Sequence, residues 1–350
     1  MSILYLQTSP APPIEGTDAV FQEIKALCAA FDGSTLNMYP GALPGRYLPA
    51  QLLGFHKLAE IRRRETQCRL NHLYFSVPYY FPVLRFLRKP IVYSVVASLT
   101  GRAKPRNLRQ LGALHKIIVA SDRDAEILDS WGLRNYAVVR PGVATGRLAP
   151  SELPLGDELV LLMASAPWVE EQFDLKGIDV LLDAVVAAPN LKLILLWRGL
   201  LLEELRERVA RRDIADRVEI VTEHVSIGDF LARAHAGVLL AKRGDIVKSY
   251  PHSLIESLMA GKPVILTEAI SMAEERYTRG TSGLSYLSDR AICGLCRLAA
   301  PRRRPLVRDE HVAWPQGSRG QRDRGFELPS HAKPIGNFQG ARRQGAGARK

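Results

Sequence analysis

The sequence predicts an α/β protein of two tandem domains, each a parallel sheet covered by helices, facing a common cleft. Three observations carry this reading. Short apolar runs rich in β-branched residues alternate with longer amphipathic stretches, as expected of strands buried on both faces by crossover helices. The alternation is punctuated at Arg140-Pro141-Gly142-Val143 and begins again near residue 158. A length of 350 residues suits two domains with separate cores.

The first domain, residues 1–145, opens with ILYLQT (3–8) as a strand. A proline-rich loop then leads into DAVFQEIKALCAAF (18–31) as a helix, with Phe21, Ile24, Leu27 and Phe31 on one face. Strands are expected at HLYFSV (72–77), PIVYSVV (90–96), KIIVAS (116–121) and YAVV (136–139), with helix-like stretches around 50–64, 80–88 and 121–131. The second domain, 150–290, reads ELVLLMAS (158–165), LKLILLW (191–197), VEIVTE (218–223), AGVLLA (236–241) and PVILTE (263–268) as strands. The helix KGIDVLLDAVVAA (176–188) places Ile178, Leu181, Leu182 and Val185 on one side, and LLEELRERVARR, IGDFLARAHA and SLIESLMAG follow as helices. Loops at the carboxyl ends of parallel strands are expected to line the ligand cleft.

Periodicity fails near residue 290, and residues 291–350 read as a basic, poorly ordered tail rich in Gly, Pro and Arg. Three readings stay open for it: a bland extension, a segment contacting RNA or membrane, or the product of a shifted frame near 280–290. The formal charge of +12 is concentrated there, since 301–350 hold twelve Lys or Arg against four Asp or Glu. The remaining modest surplus suits phosphate-bearing ligands or an anionic membrane face, and gives little support for nucleic-acid binding by the body. Four cysteines in this length argue against a disulfide framework and for a reducing compartment. No apolar block is long enough to span a bilayer, and MSILYLQTSPAPP lacks the basic leader of an export signal. Cys293-Gly-Leu-Cys296 has half-zinc spacing without a second ligand pair, so no metal site is expected. The glycine fingerprint of a nicotinamide cofactor is missing after both first strands, which disfavours a dehydrogenase.

The stretch SYPHSLIESLMAGKPVI carries the most chemistry. Tyr-Pro favours an extended entry and leaves Pro251 at a helix start, while Gly261 ends the helix. Leu254, Leu258 and Met259 are expected to face inward. The first-turn N–H groups of His252, Ser253 and Leu254 form a phosphate pocket. Behind them, Glu256 can accept hydrogen bonds from ribose hydroxyls. A solvated surface glutamate and a capping or surface histidine are the bland readings of the same residues.

The two-domain plan, the KGID segment and the glutamate helix before KPVI resemble the GT-B glycosyltransferases, and within them the retaining glycosyltransferase family 4 (GT4). VVRPGVATGRLAP and IEGTDAVFQEI are similar to the family's interdomain turn and its first loop and helix, so the resemblance spans roughly residues 1–280. It implies two Rossmann-like domains facing a cleft, a nucleoside diphosphate sugar as donor, a glycan or lipid-linked acceptor, and no cofactor or essential metal. A cytoplasmic location with peripheral contact at the inner membrane face is likewise a family inference. Lys176 matches the lysine that contacts the donor diphosphate, and Glu256 the second glutamate of E-x7-E, which holds the ribose. Lys248 stands where the first glutamate belongs; it either pairs with a phosphate or an acidic sugar, or marks weakened donor chemistry. The arginine often found before KG is replaced around Ser165, with Arg198 as a neighbouring substitute. The expected N-domain histidine falls near Val96 and Ala97, with Arg102 the nearest cation. Gly16 and Thr17 either approach the diphosphate or acceptor or serve as a plain turn. Trp168, Glu170 and Glu171 are candidate cleft residues. The resemblance implies sugar transfer in polysaccharide or glycolipid synthesis; an inactive nucleotide-sugar or glycan-binding scaffold is the alternative that the substitutions motivate.

Overall fold

The computed structural model describes residues 2–9, 18–40, 52–143, 148–151, 153–154, 156–197, 200–273 and 284–287. Gly16, Thr17, Arg198, the Cys293/Cys296 pair and the basic tail lie outside the described residues. Two six-stranded parallel sheets form within one compact unit, Met1–Arg304.

The first sheet contains β1 (Ile3–Gln7), β2 (Ser34–Asn37), β3 (Leu70–Phe75), β4 (Ile91–Val95), β5 (Lys116–Val119) and β6 (Tyr136–Val138) in the order β2-β1-β3-β4-β5-β6. The second contains β7 (Leu159–Met163), β8 (Leu191–Leu196), β9 (Val218–Val221), β10 (Ala236–Leu239), β11 (Val264–Thr267) and β12 (Leu284–Leu287) in the order β12-β11-β10-β7-β8-β9. The chain reverses its direction of progress between β1 and β3 in one sheet and between β7 and β10 in the other. Such switch points open a crevice at the strand carboxyl ends, where doubly wound sheets hold ligands.

The helices are α1 (Ala19–Phe31), α2 (Leu58–Glu65), α3 (Leu108–Gly112), α4 (Asp122–Ser130), α5 (Gln172–Leu175), α6 (Ile178–Ala187), α7 (Leu202–Ala210), α8 (Ile227–Ala232) and α9 (His252–Met259). Asp18 caps α1 by accepting from the Val20 N–H at 2.8 Å, which fixes the helix start. The α6 residues Ile178, Leu181, Leu182 and Val185 are all buried against the second sheet, as their spacing predicts.

Several local expectations are corrected. Phe31 is half exposed, because α1 packs mainly through Ile24 and leaves its last residue to solvent. Met259 is 43% exposed while Ser257 is fully buried, so the inward face of α9 is rotated from the one that hydrophobicity picks out. The segment around 80–88 is a short 3₁₀ turn, Pro82–Phe86, and the 50–64 stretch is a single 3₁₀ turn, Phe55–Lys57, running into α2. Strand β2, with the polar sequence STLN, has no apolar pattern and is held by its parallel register on β1.

The two sheets are joined across a buried polar clasp. Asp124, at the start of α4, accepts from Ser121 Oγ at 2.6 Å, Ser98 Oγ at 3.0 Å and the Leu99 N–H at 2.7 Å, all in the first domain. It also accepts from Ser249 Oγ, in the second domain. The Ser98 N–H donates to the Val247 carbonyl at 2.9 Å, and Ser98 Oγ lies 3.4 Å from Ser271 Oγ. Gly244 makes this approach feasible, since a Cβ there would sit 2.5 Å from the Ala269 carbonyl oxygen and 3.0 Å from Thr100 Cβ. Among the described residues no helix is long and apolar enough to cross a membrane.

Candidate active site

The two switch points line one cleft. Its first hollow, about 490 Å³, takes Gln7, Thr8 and Ser9 from the end of β1 and just beyond it, Tyr74 and Phe75 from the end of β3, and Ala164, Ser165 and Ala166 from beyond β7. Lys176, Lys248, His252, Ser253, Arg102 and Trp168 also line it. A second hollow, about 760 Å³, is lined by α1, by Gly142–Val143, by Trp197, by the segment 223–228 and by Glu256. Ala19, Ala164, His252 and Ser253 border both hollows, so the N-terminal turn of α9 sits at their junction.

Lys176 ends α5 and is 5% exposed, with its Nζ donating to the Ala166 carbonyl at 2.7 Å. Its position depends on Gly177, which adopts φ +75°, a conformation most side chains resist. A Cβ on that glycine would also lie 2.3 Å from the Leu240 carbonyl oxygen. The Lys-Gly pair therefore turns the chain against the end of β10 and lays the ammonium along the cleft floor.

Pro251 begins α9 with φ −62° and ψ 126°, and both the Leu254 and Ile255 N–H groups return to its carbonyl. The Leu254 side chain faces inward as expected, 1% exposed in the core, while its N–H closes the helix and the residue lines neither hollow. His252 and Ser253 do reach the cleft. Lys248 Nζ approaches His252 Nδ1 at 3.4 Å, which puts that cation beside the helix start. Arg102 lines the first hollow but is committed to backbone, donating to the Ser98 carbonyl at 3.1 Å and to the Asp245 carbonyl. Val96, Ala97 and Ser165 lie on the wall. Trp168 is 38% exposed at the wall. Glu170 turns away to Arg208 at 3.4 Å, and neither it nor Glu171 lines either hollow.

Residues that the sequence pattern does not single out also gather here. Glu23, on α1, lines the second hollow with Glu256 and accepts from the Tyr74 hydroxyl at 3.4 Å. Burial raises its pKa, while the Lys248 charge and the Tyr74 hydrogen bond oppose that rise. Behind Tyr74, His72 lies 2.8 Å from Ser94 Oγ and packs its ring 4.5 Å from that of Tyr74. Burial holds the His72 pKa down at about 4, so the ring is neutral at neutral pH. Burial likewise pushes the Tyr74 hydroxyl well above the ordinary phenol range. Nothing in the spacing of Glu23 or His72 marks them, because their neighbours come from the other domain or an adjacent strand. Among the described residues, no group of three or more His, Cys, Asp or Glu side chains is placed to hold a metal ion.

Residues 168–289 match the family model described as Glycosyl transferases group 1. The chain carries a glycosyltransferase domain. Among solved structures it is similar to Anabaena Alr3699/HepE in complex with UDP-glucose, at 17% identity and a TM-score of 0.62, over 85% of this chain and 88% of that one. It is also similar to WaaG, a glycosyltransferase involved in lipopolysaccharide biosynthesis, at 14% identity and a TM-score of 0.58, over 85% and 90% of the two chains. A glycosyltransferase from Rickettsia africae ESF-5 matches at 11% identity and a TM-score of 0.58, over 85% and 87%. At these identities the likeness establishes the fold, which is GT-B. No curated protein matches the chain.

Proposed function

We propose that the chain is a retaining glycosyltransferase that moves a sugar from a nucleoside diphosphate donor to an acceptor hydroxyl. The observation that carries this reading is the convergence of Lys176 and the α9 N-terminus on one cleft between facing switch points. An anionic diphosphate at the junction of the hollows would meet the positive end of the α9 dipole at His252 and Ser253. Lys176 would neutralise the charge that develops as the diphosphate leaves. The second hollow would take the nucleoside, with Glu256 accepting from the ribose hydroxyls. The solved complex of HepE with UDP-glucose lends support to a nucleotide-sugar donor.

In this mechanism the acceptor oxygen attacks the anomeric carbon on the face from which the diphosphate departs. The new glycosidic bond forms as the carbon–phosphate oxygen bond breaks, and the acceptor proton passes to the leaving phosphate oxygen. Neither a protein nucleophile nor a metal is required. Gln7, Thr8 and Tyr74 would face the acceptor from the first domain. Gly16 and Thr17, following the first strand, would approach the diphosphate or the acceptor, and Arg198 would substitute for the arginine often found before KG. We assign the acceptor to a glycan or lipid-linked chain and the protein to the cytoplasm, with the domains at 1–145 and 150–290. A catalytically weak nucleotide-sugar-binding protein is favoured by one observation, Lys248 in place of a glutamate.

The test is release of nucleoside diphosphate from a panel of donor sugars, with and without candidate acceptors, followed by assignment of the product's anomeric configuration by NMR. Turnover with retained configuration is expected, and Glu256→Ala should raise the donor KM on the order of tenfold. Inverted product would overturn the mechanism. Donor binding in calorimetry without turnover, across the acceptor panel, would favour the binding-protein reading.

A further inference from the structure

Among the described residues, three cations line the first hollow, Lys176, Lys248 and Arg102, and the transfer step uses one. Lys176 is the one assigned to the diphosphate. Lys248 lines this hollow and not the second, with its Nζ 3.4 Å from His252 Nδ1. Arg102 is held in the wall by the Ser98 and Asp245 carbonyls, and neither of those acceptors carries a charge. The transferred sugar therefore meets a wall with two further positive groups.

The carboxylates around that wall have structural work. Among the described residues, Asp18 and Asp245 line the same hollow. Asp18 accepts from the Val20 and Phe21 N–H groups at 2.8 and 3.2 Å and so caps α1. Asp245 accepts from Arg243 Nε at 3.0 Å and from a terminal nitrogen of that guanidinium at 2.6 Å. Glu23 feels the Lys248 charge, but it borders the second hollow and accepts from the Tyr74 hydroxyl. Lysine and arginine side chains only donate hydrogen bonds, and an ionised carboxylate only accepts them. A sugar hydroxyl does both, so it is the poorer complement to such a wall.

We propose that the transferred sugar is a hexuronic acid whose carboxylate is held by Lys248, with Arg102 adding positive potential to the same wall. The inference rests on the transfer reading and names the class of its donor. A diphosphate at the α9 N-terminus, where the hollows join, leaves the sugar in the first hollow, between that helix start and Gln7, Thr8 and Tyr74. Lys248 stands beside His252 at that point, so its ammonium is placed for a substituent of the sugar ring. An ammonium–carboxylate hydrogen bond is about twice as strong as one between neutral groups. Lys248 is thus a specificity-determining residue, which selects the sugar and leaves bond breaking to the diphosphate side.

The experiment is calorimetric titration of the full chain with UDP, UDP-glucose and UDP-glucuronate, and with GDP, GDP-mannose and GDP-mannuronate. For the nucleotide that binds, the uronate is expected to bind on the order of tenfold tighter than its neutral partner, with the difference shrinking as salt is added. Lys248→Met should remove that preference and Lys248→Glu should reverse it, both leaving affinity for the bare nucleoside diphosphate little changed. Melting temperatures within a few degrees of the parent chain would show that the variants fold, and the parent's own preference decides the proposal if they do not. Uronate binding no tighter than that of the neutral sugar overturns the proposal and leaves the transfer reading standing. A Lys248→Met loss that is equal for the bare diphosphate and the uronate assigns Lys248 to the diphosphate and also overturns it. If no nucleotide binds, both readings fall.

Discussion

The chain meets itself across its two domains in two chemically opposite ways. At the clasp, Asp124 is 2% exposed and takes three hydroxyl donors and one N–H, so a buried charge is surrounded by donors from both domains. At the cleft, Lys176, Lys248, His252 and Glu256 border open volume large enough for a nucleotide sugar. A buried charge is tolerated only when it is hydrogen-bonded, so the clasp reads as architecture. Charges of both signs lining a concave opening retain capacity for a ligand, so the cleft reads as chemistry. The same loop, 244–251, serves both: Val247 and Ser249 enter the clasp while Lys248 faces the cleft.

That contrast can be broken from either side. The largest effect is expected on the cleft: Lys176→Ala should cut transfer by on the order of a hundred- to a thousandfold, measured as nucleoside diphosphate release, with the melting temperature little changed. Unaltered turnover would remove Lys176 from the chemistry. Next, Asp124→Ala should cost about 3 kcal/mol of stability by leaving buried donors without an acceptor, read from the denaturant midpoint. A loss well below 1 kcal/mol would mean that water replaces the carboxylate and that the clasp is wet.

His72 tests the wall behind the cleft. Its folded pKa, about 4, lies below the ordinary imidazole value of 6.5, so the unfolded chain binds a proton that the folded one refuses. Stability is retained above the higher value and lost as pH falls toward the lower one. Between pH 7 and pH 5 the loss should be about 2 kcal/mol, and His72→Gln should remove that component of the pH dependence. The smallest effect belongs to Glu23. Burial raises its pKa, so its contribution is full at acid pH and declines as pH rises through the folded value. Glu23→Gln should therefore flatten the wild-type decline above the ordinary glutamate range, as followed by thermal melts across a pH series. An unchanged profile would show that Lys248 and Tyr74 offset the burial.

The part of the site carried by local backbone geometry was legible in the sequence. Lys-Gly at 176–177 and Tyr-Pro before α9 fix their own turns, and those turns bring Lys176, His252 and Ser253 to the cleft. Leu254 packs inward as its spacing predicts, while its N–H is used to close the first turn of α9 on the Pro251 carbonyl, a bond that only the folded helix start displays. Met259 and Phe31 mislead, since an apolar residue on a helix is exposed or buried according to which element covers it.

By itself the sequence determined the alternation of buried strands and amphipathic helices and the sharp turns, because each depends on neighbours a few residues apart. Tertiary structure alone decided the order of the strands, the opposition of the two switch points, the Asp124 clasp and the approach of Glu23 toward Lys248. Those depend on contacts between residues tens to hundreds of positions apart, such as Asp124 with Ser249 and Tyr74 with Glu23. Local periodicity carries no record of which distant surfaces will meet.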